Sequence, residues 1–294
     1  MKTLAVVTPS YGPDAAHFAD LHRSVLRFTP DDTVHYVIVP RPDRRLFAPL
    51  EGPRCRVWTV DRLLPRHYVK VPRMGMWVNA RRPWPPVRGW VMQQIIKLAA
   101  TAALDTDVVL VADSDVVLVR PVTAARALIG GRVLLHRLED GVHPLMTRHV
   151  LWHHVARDLL RLPPPPEPPL PDYMSPLTFW QPATVRKLQD RLRETTGRPW
   201  IEAFGSRLHV SEFMLYGVFV DEVLSATDGR PPSDTSICHK SPDESPMDLP
   251  TALDFAGRLG RDAVGMMISS KSGTPPEVRR AAIRRGTEVA GQAS

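Results

Sequence analysis

The chain has 294 residues, 43% hydrophobic and 23% charged, which suits one large or two small domains of a soluble globular protein with a substantial core. The formal charge is +7, and only six of the 38 basic residues are lysine (2, 70, 97, 187, 240 and 271); the arginines are scattered, which favours solvated surface over a polyanion face, so no nucleic-acid partner is expected. Two cysteines argue against a disulfide scaffold, and no run approaches the ~20 apolar residues of a bilayer span.

The N-terminal apolar run stops at Pro9, too short for a signal-peptide core, so a cytoplasmic protein is expected. Leu4 to Val7 predicts a buried strand ending in a Pro-Ser-Tyr-Gly turn. Phe18, Leu21, Val25 and Phe28 then recur at helical spacing. Thr33 to Pro40 and Cys55 to Leu64 predict further strands, followed by a Pro/Arg/Trp-rich loop from about Pro72 to Arg88. A helix follows, with Val91, Ile95, Leu98 and Ala102 on one face, and then a strand from Val108 to Ala112. This alternation predicts an α/β fold: a mostly parallel, Rossmann-like sheet flanked by helices.

Arg132 to Leu138 predicts another strand, and a helix runs from about Pro144 into the proline tract at 163–171, read as an internal loop. Beyond it the pattern is mainly helical: one segment stopped by Gly197, a second from Ser211 to Leu224, and a basic tail or frayed helix over 275–294. A single domain over 1–274 is expected.

The segment Asp113-Ser114-Asp115 closes the Val108–Ala112 run. Ligands of open α/β sheets bind at the carboxyl ends of strands, and two carboxylates one residue apart can face one hard cation. Such an ion can clamp a diphosphate and neutralise the charge that develops as it leaves. The bland reading is a solvated turn, where Asp is common. His149 and His153 stand at i, i+4, but Val150 takes the place of the glutamate that zincin chemistry requires, so they read as helix-surface or acceptor-side residues. Glu212, charged within an apolar segment, reads either as a general base or as a structural ion-pair partner, since a buried carboxylate is costly unless paired or used.

In order along the chain, "TPSY", "QQIIKL" and a hydrophobic strand ending in "DSD" resemble the GT-A glycosyltransferases. "PDYMSPLTFW", "GRPWIEA" and "HVSEFMLYGVFV" are similar to a little-characterised bacterial family of GT-A-like proteins common in actinomycetes. The resemblance spans roughly residues 3 to 245. It implies a metal-dependent transferase that moves a sugar from a UDP- or GDP-sugar to an acceptor it does not specify, with Mn²⁺ or Mg²⁺ as cofactor. Thr8, Pro9, Ser10 and Tyr11 match the loop that meets base and ribose. Gln94 and Lys97 share a helix face toward the D-x-D strand, where Lys97 reaches a phosphate or Asp113 or is an ordinary surface lysine. Asp115 matches the metal ligand, with Asp113 bridging metal and ribose. His239 is the matching third ligand, with His209 its rival and a structural histidine the alternative for both, and Lys240 pairs with the leaving diphosphate. Asp172 is a second candidate, beside Glu212, for contacting sugar or acceptor.

Two other classes fit part of the pattern. A hydrophobic-D-x-D segment also occurs in haloacid-dehalogenase-type phosphatases, although there it normally occupies the first strand. A non-catalytic module binding polyanions through a basic surface is the other.

Overall fold

In the computed structural model, which describes residues 2–71, 74–228, 232–234, 237–241 and 245–292, the early apolar runs become one five-stranded sheet. Its spatial order is Leu177–Trp180, Val108–Ala112, Leu4–Pro9, Val34–Val39, Cys55–Thr59. The last four are mutually parallel, and only Leu177–Trp180 runs antiparallel, against Val108–Ala112. Leu4–Pro9 and Val108–Ala112 are buried along their whole length, as strands covered on both faces must be. This is a mixed α/β fold with a mostly parallel sheet.

One face carries the helix Gly89–Ala103, wedged against the sheet and against Pro182–Thr196 and Glu212–Val218. The other face is covered by Ala15–Phe28, which buries the predicted Phe18, Leu21 and Val25. A second, three-stranded sheet orders Cys238–Lys240, Gly265–Met267 and Val116–Leu118. It forms because the chain turns at Asp113, whose carbonyl accepts the Val116 N–H at 3.1 Å, and leaves the main sheet.

Two expectations change. The Pro/Arg/Trp-rich stretch is an antiparallel meander, Tyr68–Val71, Met76–Asn79 and Arg82–Arg88, rather than a loop; residues 72–73 of it lie outside the described residues. Pro83, Pro85 and Pro86 fall on an edge strand, where no inward N–H is needed. The strand expected over 132–138 is broken into the short pieces Arg132–Val133, Leu135–His136 and Leu138–Val142, each with a different partner. The basic tail is a 17-residue helix, Pro276–Gln292, that buries Arg279, Ala282, Gly286 and Ala290 against Leu249–Gly257 and its surroundings. No helix among the described residues is long and apolar enough to cross a membrane.

Candidate functional site

The carboxyl ends of Leu4–Pro9 and Val108–Ala112 open into a cleft of about 590 Å³, within the ~300–1,000 Å³ range of small-molecule sites. Nine of the residues singled out in the sequence line it: Pro9, Tyr11, Gln94, Lys97, Asp113, Asp115, His149, Glu212 and Lys240.

Lys97 is the hub. Its Nζ lies 2.9 Å from Asp113 Oδ1 and 3.0 Å from Glu212 Oε1, and 4.4 Å from the centre of the Phe213 ring. Burial works against its charge, but the two carboxylates outweigh it and hold the ammonium above its ordinary pKa. Burial also raises the Glu212 carboxyl, with Lys97 pulling the other way. Gln94, one helical turn before Lys97, accepts the Glu212 N–H at its Oε1 (3.0 Å). Its Nε2 is buried with no hydrogen-bond partner among the described residues, an unspent donor at the cleft wall.

Asp115 sits deeper than Asp113. Its Oδ2 accepts the Ser270 N–H at 2.8 Å. Burial raises its pKa, and Asp113 and Asp14 push it further the same way. Carboxylates crowded like this favour a cation among them. The backbone beneath is pinned from behind: the buried Arg279 donates to the Asp115 carbonyl (2.9 Å) and to Asp20 Oδ2 (2.7 Å). Ser114, between the aspartates, donates to Asp14 Oδ2 at 2.9 Å and so ties the turn to the loop after the first strand.

Four expected residues stand elsewhere. Thr8 and Ser10 alternate with Pro9 and Tyr11, so the pleat turns them inward: Thr8 Oγ1 is 3.0 Å from His35 Nε2, and both side chains are buried. His239 alternates with Lys240 in the same way. Lys240 faces the cleft, while His239 stacks on Phe255 at 4.3 Å and places Nε2 2.8 Å from the Phe255 carbonyl. Asp172 is buried away from the cleft and accepts the Met174 N–H at 2.9 Å. Of the two helix histidines, His149 lines the cleft, whereas His153 is buried against the Pro171 carbonyl.

Several lining residues had drawn no attention in the sequence: Asp14, Trp90, Ser269, Ser270 and Lys271. Lys271 had a usable signal, since "SSKSG" follows an apolar run as the D-x-D does. With it, three of the chain's six lysines, 97, 240 and 271, converge on one cleft.

These residues fit a divalent ion that arrives with its ligand. Asp113 and Asp115 each have one oxygen engaged, by Lys97 and by the Ser270 N–H. Among the described residues no group of three or more His, Cys, Asp or Glu side chains is arranged to hold a metal. Mg²⁺ commonly takes one or two carboxylates and completes its shell with phosphate oxygens and water.

No curated protein matches the chain. Among solved structures, the galactosyltransferase LgtC in complex with donor and acceptor sugar analogs is 12% identical, with a TM-score of 0.45 over 98% of this chain and 95% of that one. Mouse xyloside xylosyltransferase 1 in its apo form is also 12% identical, with a TM-score of 0.45 over 93% of this chain and 99% of its own. A model of a family of unknown function, DUF6492, matches residues 2–229, and the chain belongs to that family.

Proposed function

We propose that the protein is a GT-A-type glycosyltransferase that moves a sugar from a nucleoside-diphosphate sugar to an acceptor hydroxyl. One observation carries the reading: Asp113 and Asp115 meet Lys97, Lys240 and Lys271 at the carboxyl ends of parallel strands in a cleft of small-molecule size. Carboxylates alone would repel a diphosphate, and lysines alone would bind any anion. The two sets together suit a diphosphate accompanied by a divalent ion.

In this reading Tyr11, exposed on the cleft wall, stacks on the base. Asp113 and Asp115 would hold Mg²⁺ or Mn²⁺, which would supply positive charge to the departing diphosphate. Lys240 and Lys271 supply fixed positive charge to the same group. Lys97 orients Asp113 and Glu212 through its two ion pairs. Glu212 takes the proton of the acceptor hydroxyl; its burial raises the carboxyl pKa toward the range a general base needs. Trp90, braced by Trp152 at 5.8 Å and by Arg148 over its ring, offers a flat apolar face to the acceptor sugar.

The test is calorimetry with UDP and GDP, with and without Mn²⁺ or Mg²⁺, on the wild type and Asp115→Ala. Metal-dependent binding in the wild type that disappears in Asp115→Ala is expected, followed by metal-dependent turnover of a nucleotide sugar. Metal-independent binding that survives Asp115→Ala defeats the proposal, and metal-dependent release of phosphate from small esters would favour the phosphatase reading instead.

A further inference from the structure

The meander Tyr68–Arg88 has a surface that the cleft chemistry leaves unexplained. Trp84 is 79% exposed, and Met74 and Val69 of the same meander are 61% and 56% exposed. Isolated apolar side chains on a surface are ordinary, but three large ones on one small sheet are not. The sheet is also basic. Arg66, Lys70, Arg81, Arg82 and Arg88 are exposed and form no ion pair among the described residues. No acidic residue occurs between Asp61 and Asp105. Glu202, which packs under the sheet, already accepts from Asn79 Nδ2 at 3.2 Å.

Like charges gathered on a small sheet do not stabilise a fold, and an exposed indole gains nothing from water. We propose that this surface docks the protein on a bilayer rich in anionic phospholipid. Arginine and lysine meet the lipid phosphates, and the indole of Trp84 sits at headgroup depth, where its apolar ring and polar N–H are both satisfied. The charge complementarity is one-sided: basic groups face outward with no acidic group interleaved to repel a phosphate. Aliphatic Val69 and Met74 suit the acyl boundary better than the stacked bases of a nucleic acid, which call for flat rings. A protein strand adding to the Arg82–Arg88 edge is opposed by Pro83, Pro85 and Pro86, which remove N–H donors there. This inference is separate from the cleft reading, because its readout is vesicle binding and not sugar transfer.

The test is co-sedimentation with vesicles of phosphatidylcholine alone and with phosphatidylglycerol in equal parts. The wild type should bind only the second kind, and less as salt rises. Arg81→Ala/Arg82→Ala should bind about 30-fold more weakly, and Trp84→Ala about tenfold more weakly. The control pair Arg45→Ala/Arg284→Ala, equal in charge change and exposed elsewhere, should bind as the wild type does. These side chains are all on the surface, and unchanged melting curves will show that the fold is kept. Equal binding to both vesicles, equal loss in the control pair, or binding of a single-stranded oligonucleotide through Arg81 and Trp84 without vesicle binding would each overturn the proposal.

Discussion

Lys97 Nζ stands 3.0 Å from Glu212 Oε1, where neither side chain is more than a tenth exposed. Removing one partner of such a pair leaves an uncompensated buried charge, at a cost of ~3–5 kcal/mol. Lys97→Met should therefore lose about that much stability in urea denaturation. Lys97→Met/Glu212→Leu should recover most of it, because the carboxylate left behind, Asp113, is 40% exposed and is solvated. A double-variant loss equal to the sum of the Lys97→Met and Glu212→Leu losses would show that the pair is not coupled.

Glu212→Gln separates stability from chemistry. The amide keeps shape and a hydrogen bond to Lys97, and Lys97 retains Asp113 as an ionic partner. If Glu212 is the general base, turnover should fall ~10²–10⁴-fold while nucleotide-diphosphate affinity stays close to the wild type. A fully active variant removes Glu212 from the reaction.

Lys240 and Lys271 reach the cleft from strand and loop, outside the buried pair. A phosphate contact by a lysine of this kind is a charge-assisted hydrogen bond worth ~1.5–3 kcal/mol. Lys240→Ala and Lys271→Ala should each weaken binding of UDP or GDP by at least about tenfold. Thermal melting should barely move. Calorimetry at two salt concentrations checks this, since each variant should also show a shallower salt dependence.

His35 supplies the pH dependence of stability. It is fully buried, with Nε2 3.0 Å from Thr8 Oγ1 and Nδ1 3.2 Å from His22 Nδ1. Burial first, and then His22, hold its imidazole well below the usual 6.5. Below that pH the unfolded chain binds a proton that the native chain does not. Stability should therefore fall as pH drops through about 6.5, by up to ~1.4 kcal/mol per pH unit, until the native pKa is reached. His22, lowered mainly by burial, acts in the same direction. Urea midpoints measured down the acid side of neutrality should show this slope, and it should flatten in His35→Gln.

Gly217 tests the packing behind Glu212. A Cβ there would lie 2.1 Å from Tyr173 Cγ and 2.6 Å from its Cβ. Tyr173 is buried and cannot swing aside, because its hydroxyl donates to Asp221 Oδ2 at 2.7 Å and Arg137 Nε holds the same oxygen at 2.8 Å. Gly217→Ala should cost ~1–3 kcal/mol or more by overpacking. A melting temperature equal to the wild type would show that the helix Glu212–Val218 shifts freely.

Several features were legible in the residues themselves. The apolar runs near residues 4 and 108 are strands covered on both faces, which must be apolar throughout, and those near 34 and 55 are partly exposed strands rich in β-formers; both are local properties of the chain. The place of Asp113 and Asp115 at a strand's end follows equally locally, since the apolar run simply stops there. The segment Leu177–Trp180 is legible only as part of the motif "PDYMSPLTFW". It is too short to declare itself a strand and needs the edge of Val108–Ala112 as a template.

Tertiary structure alone decided which side chains share the cleft. His239 and Lys240 are both plausible ligands as letters, but the pairing of Cys238–Lys240 with Gly265–Met267 sends the lysine to the cleft and the histidine to Phe255. Thr8 and Ser10 lose to Pro9 and Tyr11 by the same alternation, because one step along a strand reverses the face. Ser270 and Arg279 reach Asp115 only because the chain folds back 155 and 164 residues later. Sequence periodicity determines which segments are strands and helices, since it reflects burial within a few residues. Which distant segments meet, and in what register, depends on packing between them, and that information is spread over the whole chain.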